Sequence, residues 1–133
     1  MPYVTDTHAL VWHLTGDARL SRKAKVVFDR VDASQEVMFV PCIVLYEVLA
    51  LVEKKKIEAD FSPLLHRLSS ASNYRIEPMC APVVQACLKI PREKVSDPSD
   101  RLIAATSLYL GYPLITRDDL LRNLYLDGFN AIW

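Results

Sequence analysis

Apolar and polar residues follow one another in blocks that predict short strands separated by helices. Five β-prone runs stand out along the chain, at residues 2–5, 36–40, 74–78, 113–116 and 130–133. The run at 36–40 is almost continuously apolar, which is typical of a strand buried on both faces of a parallel sheet. Strands that alternate with helices predict an α/β domain with a mainly parallel sheet and helices on both faces.

The segments between these runs carry apolar residues at helical spacing and begin or end at recognisable capping residues. Asp6, Ser21, Asp60 and Asp97 occupy candidate N-terminal caps, and Gly111 is a candidate stop for the helix that follows Asp97. The predicted helices cover residues 7–14, 21–31, 42–55, 61–71, 81–89, 98–110 and 120–126.

Length and composition indicate one domain over residues 1–133, because 51% hydrophobic residues suffice for a substantial core. No apolar run approaches the roughly 20 residues that cross a bilayer, and the N-terminus lacks the order of a signal peptide, so we expect a cytoplasmic protein without a membrane segment. Sixteen basic and sixteen acidic side chains cancel, so any nucleic-acid binding requires a local patch. Cys42, Cys80 and Cys87 form no C-x-x-C pair and are predicted to be buried thiols.

Glu47 is an acid in an otherwise apolar stripe. Its neighbours one helical turn away are Ile43, Val44, Ala50 and Leu51, so the carboxylate projects from the face that should meet the core. Burying an unpaired carboxylate costs several kcal/mol. The position therefore calls for a cation, a metal ion or a water-filled cleft.

Four other acids lie where strands end or helices begin. Asp6 and Asp118 each follow a predicted strand, and the carboxyl ends of parallel strands form the ligand-binding edge of an open sheet. Asp97 and Asp100 are three residues apart and share one face of the same helix. Taken alone, Asp6 is equally compatible with a simple helix cap.

Carboxylates that converge on one cleft repel one another unless a divalent cation lies among them. Oxygen ligands suit Mg²⁺ or Mn²⁺, whereas zinc normally brings His or Cys, and the positions of His8, His13 and His66 do not favour a zinc site. A Mg²⁺ ion held in this way can polarise a phosphoryl oxygen and activate water for attack at phosphorus. The acids therefore indicate phosphodiester hydrolysis.

The same residues resemble the PIN-domain nucleases and, within them, the VapC-type toxins of toxin–antitoxin pairs. The resemblance covers essentially the whole chain, and the D-P-x-D-R-x-I-A-A string followed by I-T-x-D is fairly specific in this order. It rests on YVTDTH at 3–8, Glu47, DPSDRLIAA at 97–105 and LITRD at 114–118.

Carried over by position, the resemblance assigns catalytic and metal-binding roles to Asp6, Glu47, Asp100 and Asp118. It makes Asp97 an additional supporting or capping acid and makes Thr7 and Thr116 supporting hydroxyl residues. Asp119 is expected to be an exposed residue at a helix start, and the alternative is that it takes the place of Asp118 at the site. Arg101 and Arg117 are candidates for RNA phosphate contact, with a surface salt bridge as the equal alternative. The basic end at Lys54, Lys55 and Lys56 fits either a solvated helix end or RNA contact.

The resemblance implies a PIN-like three-layer α/β/α fold with about five strands in its central sheet. It also implies a Mg²⁺- or Mn²⁺-dependent endoribonuclease, the toxin of a VapBC-type pair, with a cognate antitoxin and a homodimer as partners.

Two other functions remain open from the residues. A PIN nuclease of housekeeping RNA processing would carry the same motifs. A non-catalytic metal- or RNA-binding regulatory module is the alternative from another class. Against a receiver-like module, the first strand lacks an adjacent acidic pair, and against a dinucleotide-binding domain, no G-x-G-x-x-G occurs.

Overall fold

Five parallel strands form the centre of the protein, whose computed structural model describes residues 1–133. The strand order is β3-β2-β1-β4-β5, so the first strand lies in the middle with β2 on one side and β4 on the other. The predicted final edge strand is confirmed as β5, which pairs with β4. The strands are β1 (Tyr3–Thr5), β2 (Met38–Pro41), β3 (Tyr74–Glu77), β4 (Leu114–Ile115) and β5 (Ala131–Ile132).

Seven α-helices flank the sheet and give the PIN-like α/β/α architecture that the sequence predicts. A 3₁₀ turn, Cys87–Lys89, continues the fifth helix, where the sequence predicts one longer helix. The helices are α1 (Thr7–Thr15), α2 (Arg22–Asp32), α3 (Cys42–Glu53), α4 (Phe61–Ser70), α5 (Ala81–Ala86), α6 (Pro98–Leu110) and α7 (Asp119–Arg122).

The predicted helix boundaries follow from local capping. The Ser21 hydroxyl accepts from the Ala24 N–H at the start of α2, and Gly111 ends α6 in the left-handed conformation, with φ of 74°. Asp60 occupies the N-cap position of α4, yet its side chain makes no capping hydrogen bond. The predicted helix at 120–126 is shorter, because the Asn123 amide donates to the Asp119 carbonyl and closes α7 after one turn.

The core lies where α1, α3 and α6 pack on the central strands. Val4 of β1 and Leu114 of β4 are fully buried, as are Leu10 of α1 and Val44 of α3. Ile103 of α6 is 1% exposed. This packing fixes the ends of β1 and β4, and hence the acids that follow them, relative to α3 and α6.

The prediction for the cysteines is wrong at Cys42, which is exposed at the start of α3, and incomplete at Cys80 and Cys87, which are partly buried. Cys42 occupies the first turn of a helix whose apolar stripe is carried by Val44, Leu45 and Val48. An apolar sequence neighbourhood therefore did not place the thiol on the buried face. No helix of the protein is both long enough and apolar enough to cross a bilayer.

Candidate active site

Asp6 lies at the C-terminal end of the central strand and begins α1. One carboxylate oxygen accepts from the Ala9 N–H at 2.9 Å, which confirms the helix cap, and the other accepts from the Thr116 hydroxyl. The residue is 8% exposed. The helix cap uses only one of the two carboxylate oxygens, and the Asp6 side chain also lines a cleft.

Thr116 connects the ends of two neighbouring strands. Its fully buried hydroxyl donates to Asp6 and accepts from the Asp118 N–H at 3.1 Å. Asp118 in turn caps α7, since its carboxylate accepts from the Leu121 N–H at 3.0 Å. One side chain therefore sets the position of Asp6 and the backbone of Asp118 together.

Glu47 reaches the same cleft from the middle of α3. The Thr7 hydroxyl donates to its carboxylate at 2.6 Å, and Thr7 itself is 5% exposed. The residue is partly buried and forms no salt bridge with Lys or Arg. The cleft resolves the conflict in the sequence, because the carboxylate projects from the apolar stripe of α3 into a polar opening.

Asp97 and Asp100 occupy different positions at the start of α6. The exposed Asp97 carboxylate caps the helix by accepting from the Asp100 N–H at 2.9 Å. Asp100 lines the cleft in the first turn of the helix, whereas Asp97 does not line it. The sequence predicts both acids on one helix face. In the structure Asp97 is the N-cap residue outside the cleft, and only Asp100 lines the cleft.

The acidic cleft, defined by Asp6, Glu47, Asp100 and Asp118, has a volume of about 460 Å³. Asp119 also lines it, but its side chain is 89% exposed and lies 3.7 Å from Arg122. No three His, Cys, Asp or Glu side chains lie close enough together to hold a metal ion as they stand. The donor set itself fits Mg²⁺ or Mn²⁺, because all of its ligands are oxygens.

Burial and crowding raise the pKa of two of these acids. Burial is the main cause for Asp6, whose pKa rises to about 6 although hydrogen bonds from Thr116 and Ala9 oppose the rise. Burial also dominates at Asp100, whose pKa rises to about 7, and the charges of Asp97 and Asp118 add to it. Both groups are held in a site where a positive charge would lower their pKa.

The two arginines that the sequence singled out lie in different places. Arg117 lines the cleft, and its guanidinium carbon lies 5.6 Å from the centroid of the Trp12 ring. Arg101 does not line it, because its guanidinium donates to the carbonyls of Cys87 and Ile90 at 2.8 and 3.1 Å. The sequence left open a phosphate contact or a surface salt bridge for Arg101. In the structure its guanidinium instead binds backbone carbonyls.

Trp12 and Arg19 are cleft residues that the sequence reasoning missed. Arg19 lies 4.8 Å from the Trp12 ring centroid, and His8 lies one helical turn from Trp12, with their ring centroids 5.6 Å apart. The i, i+4 spacing of His8 and Trp12 was a usable signal for a shared face. No comparable signal marks Arg19, which reaches the cleft through the loop after α1.

The PIN-domain family matches residues 3–126 of the chain. Ribonuclease VapC22 of Mycobacterium tuberculosis is 28% identical over 118 residues, covering 89% of this chain and 88% of that protein. This similarity confirms the resemblance to VapC-type proteins.

Two solved structures share the fold. VapBC2 from Rickettsia felis, bound to a promoter DNA fragment, aligns with a TM-score of 0.72 and 17% identity over 99% of this chain and 98% of that one. A toxin–antitoxin complex from Klebsiella pneumoniae aligns with a TM-score of 0.66 and 19% identity over 96% of this chain and 94% of that one. The fold, the order of the motifs and the family match agree, and the chain belongs to the PIN-domain family.

Proposed function

We propose that the protein is a VapC-type toxin, a divalent-metal-dependent endoribonuclease that hydrolyses RNA phosphodiester bonds. The observation that carries the proposal is the arrangement of Asp6, Glu47, Asp100 and Asp118 around one cleft. The ribonuclease name of the Mycobacterium tuberculosis relative supports the substrate class. A toxin that acts on cellular RNA works in the cytoplasm.

Asp6, Glu47, Asp100 and Asp118 would hold Mg²⁺ or Mn²⁺. When bound, such an ion stabilises the charge that develops on the phosphate and makes water a better nucleophile. Thr7 and Thr116 act through the acids, since their hydroxyls hold Glu47 and Asp6 in place.

The raised pKa values give the acids a second property. Asp6 and Asp100 are ready to take up protons near neutral pH when no cation is present. Proton uptake neutralises part of the repulsion in the empty cleft. Binding of a cation would then displace these protons, which makes metal affinity rise with pH.

Asp97 supports Asp100 without holding the ion. Its carboxylate fixes the first turn of α6 through the Asp100 N–H, and its charge raises the pKa of the Asp100 carboxyl. Loss of Asp97 would therefore weaken activity less than loss of Asp100.

An antitoxin and a second copy of the chain are the proposed protein partners. Structures that share this fold include toxin–antitoxin complexes, which supports an antitoxin for this chain as well. Co-expression with its neighbouring genes should yield a stable complex with a second protein that suppresses ribonuclease activity. Absence of any such complex would favour a PIN nuclease of housekeeping RNA processing.

The direct test is RNA cleavage by purified, metal-stripped protein. Cleavage should appear when Mg²⁺ or Mn²⁺ is added and disappear with a chelator. Asp100→Asn should remove it, while Asp29→Asn should leave it, because Asp29 is exposed, ion-paired with Lys25 and outside the cleft. RNA cleavage that needs no divalent ion, or full activity in Asp100→Asn, would contradict the proposal.

A further inference from the structure

Two arginine side chains lie over one aromatic ring at the edge of the acidic cleft. The guanidinium carbons of Arg19 and Arg117 are 4.8 and 5.6 Å from the centroid of the Trp12 ring. Trp12 is 7% exposed, and its ring centroid lies 5.9 Å from that of Trp133 in an edge-to-face arrangement. We call Arg19, Arg117 and Trp12 the cationic rim. The buried ring gives both cations a fixed support.

Arg19 is the more firmly held of the two arginines. Its Nε and Nη2 donate to the two carboxylate oxygens of Asp17 at 3.1 and 2.8 Å, and the Asp17 carboxylate also accepts from the Arg19 N–H. A guanidinium has five N–H donors, so this fork leaves three of them for another acceptor. The Arg19 side chain is 61% exposed. Those donors are oriented in advance and open to solvent.

Arg19 also stands where two depressions meet. Beside the acidic cleft is an outer groove of about 380 Å³ that shares His8, Trp12 and Arg19 with it. Its far side is formed by Leu51, Lys56 and Ile57 at the end of α3. The two depressions therefore adjoin at Arg19, and a strand that leaves the acidic cleft past Arg19 enters the groove that Lys56 lines.

The charge of the outer groove suits a polyanion. Its charged side chains are Arg19, Lys56 and Asp17, and Asp17 is already paired with Arg19. Lys56 is exposed and forms no salt bridge. The acidic cleft itself repels phosphates, so a nucleic-acid strand needs cations beside the cleft to hold its backbone.

We propose that Arg19 binds a backbone phosphate of the RNA strand next to the one that is cleaved, and that the outer groove holds the nucleotides beyond it. Lys56 is the outer phosphate contact of this path. The inference rests on the proposed ribonuclease function and adds the direction in which the strand leaves the cleft. Arg19 acts in binding and does not touch the metal-binding acids.

The test measures binding of a fluorescent, single-stranded RNA of mixed sequence in the uncleaving Asp100→Asn background. Arg19→Ala should weaken binding about tenfold and reduce the slope of log K against log salt by about 1. Lys56→Ala should reduce the slope similarly with a smaller loss of affinity. Arg30→Ala is the matched control, because Arg30 is an exposed, unpaired arginine in the last turn of α2, outside both depressions.

Steady-state cleavage by the otherwise unmodified protein gives a second measurement. Arg19→Ala should raise KM with little change in kcat, and Arg19→Lys should recover part of the loss, because a lysine keeps the charge but lacks the fork. A mere loss of folding would lower kcat and the thermal midpoint together, which circular dichroism would detect.

If Arg19→Ala had the same RNA affinity, salt slope and KM as Arg30→Ala, the inference would be overturned. The proposed ribonuclease function would still stand. Loss of binding to the antitoxin with unchanged RNA binding would also overturn it, and would assign the groove to a protein segment. A parent protein that neither binds nor cuts RNA would contradict the proposed function, and this inference with it.

Discussion

Asp17, which lines the outer groove, and Asp100, which lines the acidic cleft, show how differently their surroundings can shift the pKa of two carboxylates. The pKa of Asp17, at the cationic rim, is lowered to about 2 by hydrogen bonds from Arg19. The pKa of Asp100, in the acidic cleft, is raised to about 7 by burial and by the neighbouring acids. The Asp17 carboxylate has a cationic partner within the chain, whereas the four acids that define the acidic cleft have none. That difference supports the proposal that a divalent cation binds in the cleft.

The largest expected effect separates these two acids directly. Asp100→Asn should lower kcat/KM for RNA by more than about a hundredfold, because even residues that only support metal ligands typically cost 10–100-fold. Asp17→Asn should leave the Mg²⁺ dependence unchanged and only weaken RNA binding, since it loosens Arg19. Initial rates over a Mg²⁺ series measure both. Equal losses in the two variants would break the contrast between rim and cleft.

A smaller loss is expected at the hydroxyl that joins the strand ends. Thr116→Val keeps the shape of the side chain but removes the hydrogen bonds to Asp6 and Asp118, and should reduce activity about 10- to 100-fold. Thr116→Ser restores the hydroxyl and should recover most of the activity. Parallel Mg²⁺ titrations should show weaker metal affinity in the valine variant. Full activity there would mean that the acids hold their own positions.

The pH dependence of the free energy of unfolding should reflect the raised pKa values of Asp6 and Asp100. For Asp6 and Asp100 the folded pKa lies above the ordinary value of 3.8, so between pH 3.8 and about 7 the folded state holds protons that the unfolded state has released. The contribution of these groups to stability therefore falls as pH rises through that window. For Asp6 the shift corresponds to about 3 kcal/mol at most, and for the partly exposed Asp100 solvent screening reduces the effect.

Urea unfolding of metal-stripped protein at several pH values measures this trend. Asp100→Asn should flatten it, and saturating Mg²⁺ should reverse it, because the cation binds the ionised acids of the folded state. A metal-free protein whose stability rises with pH across the same range would contradict the raised pKa values.

The smallest expected effect concerns Arg101, an arginine next to Asp100 that faces away from the cleft. Arg101→Ala should destabilise the fold by about 1 to 2 kcal/mol, because the carbonyls of Cys87 and Ile90 lose their charged donor. Arg117→Ala should leave stability nearly unchanged and weaken RNA binding instead. Denaturant midpoints and RNA affinities for the two variants should rank in opposite order. If one variant showed the larger loss in both measurements, the two arginines would not have separate roles in folding and in RNA binding.

The sequence predicts the sheet and the acid constellation well, because both depend on local patterns. Asp6 and Asp118 follow strands, and the parallel-sheet rule is enough to bring them to one edge. Glu47 is identified by the conflict between its charge and its apolar neighbours. The supporting roles of Thr7 and Thr116 follow only from the family resemblance, because the hydrogen bonds that they donate to Glu47 and Asp6 join residues far apart in sequence.

The cationic rim could not be predicted from the sequence, because it depends on the path of the loop that follows α1. Arg19 follows the end of α1 and meets Trp12 only after the chain folds back. Arg101 illustrates the opposite error, since its position beside Asp100 suggests the cleft while its helical direction carries it to Cys87 and Ile90. Cys42 shows the same limit, as one helical position decides whether a residue in an apolar run is buried.

Proton release on metal binding is the most direct test of the claim that the acidic cleft is a divalent-cation site. Mg²⁺ or Mn²⁺ would be titrated calorimetrically at about pH 6.5, near the pKa values of Asp6 and Asp100, in buffers of different ionisation enthalpy. We expect binding with net release of protons, less release in Asp100→Asn, and none well above pH 7. No binding, or binding without proton release at pH 6.5, would contradict that claim.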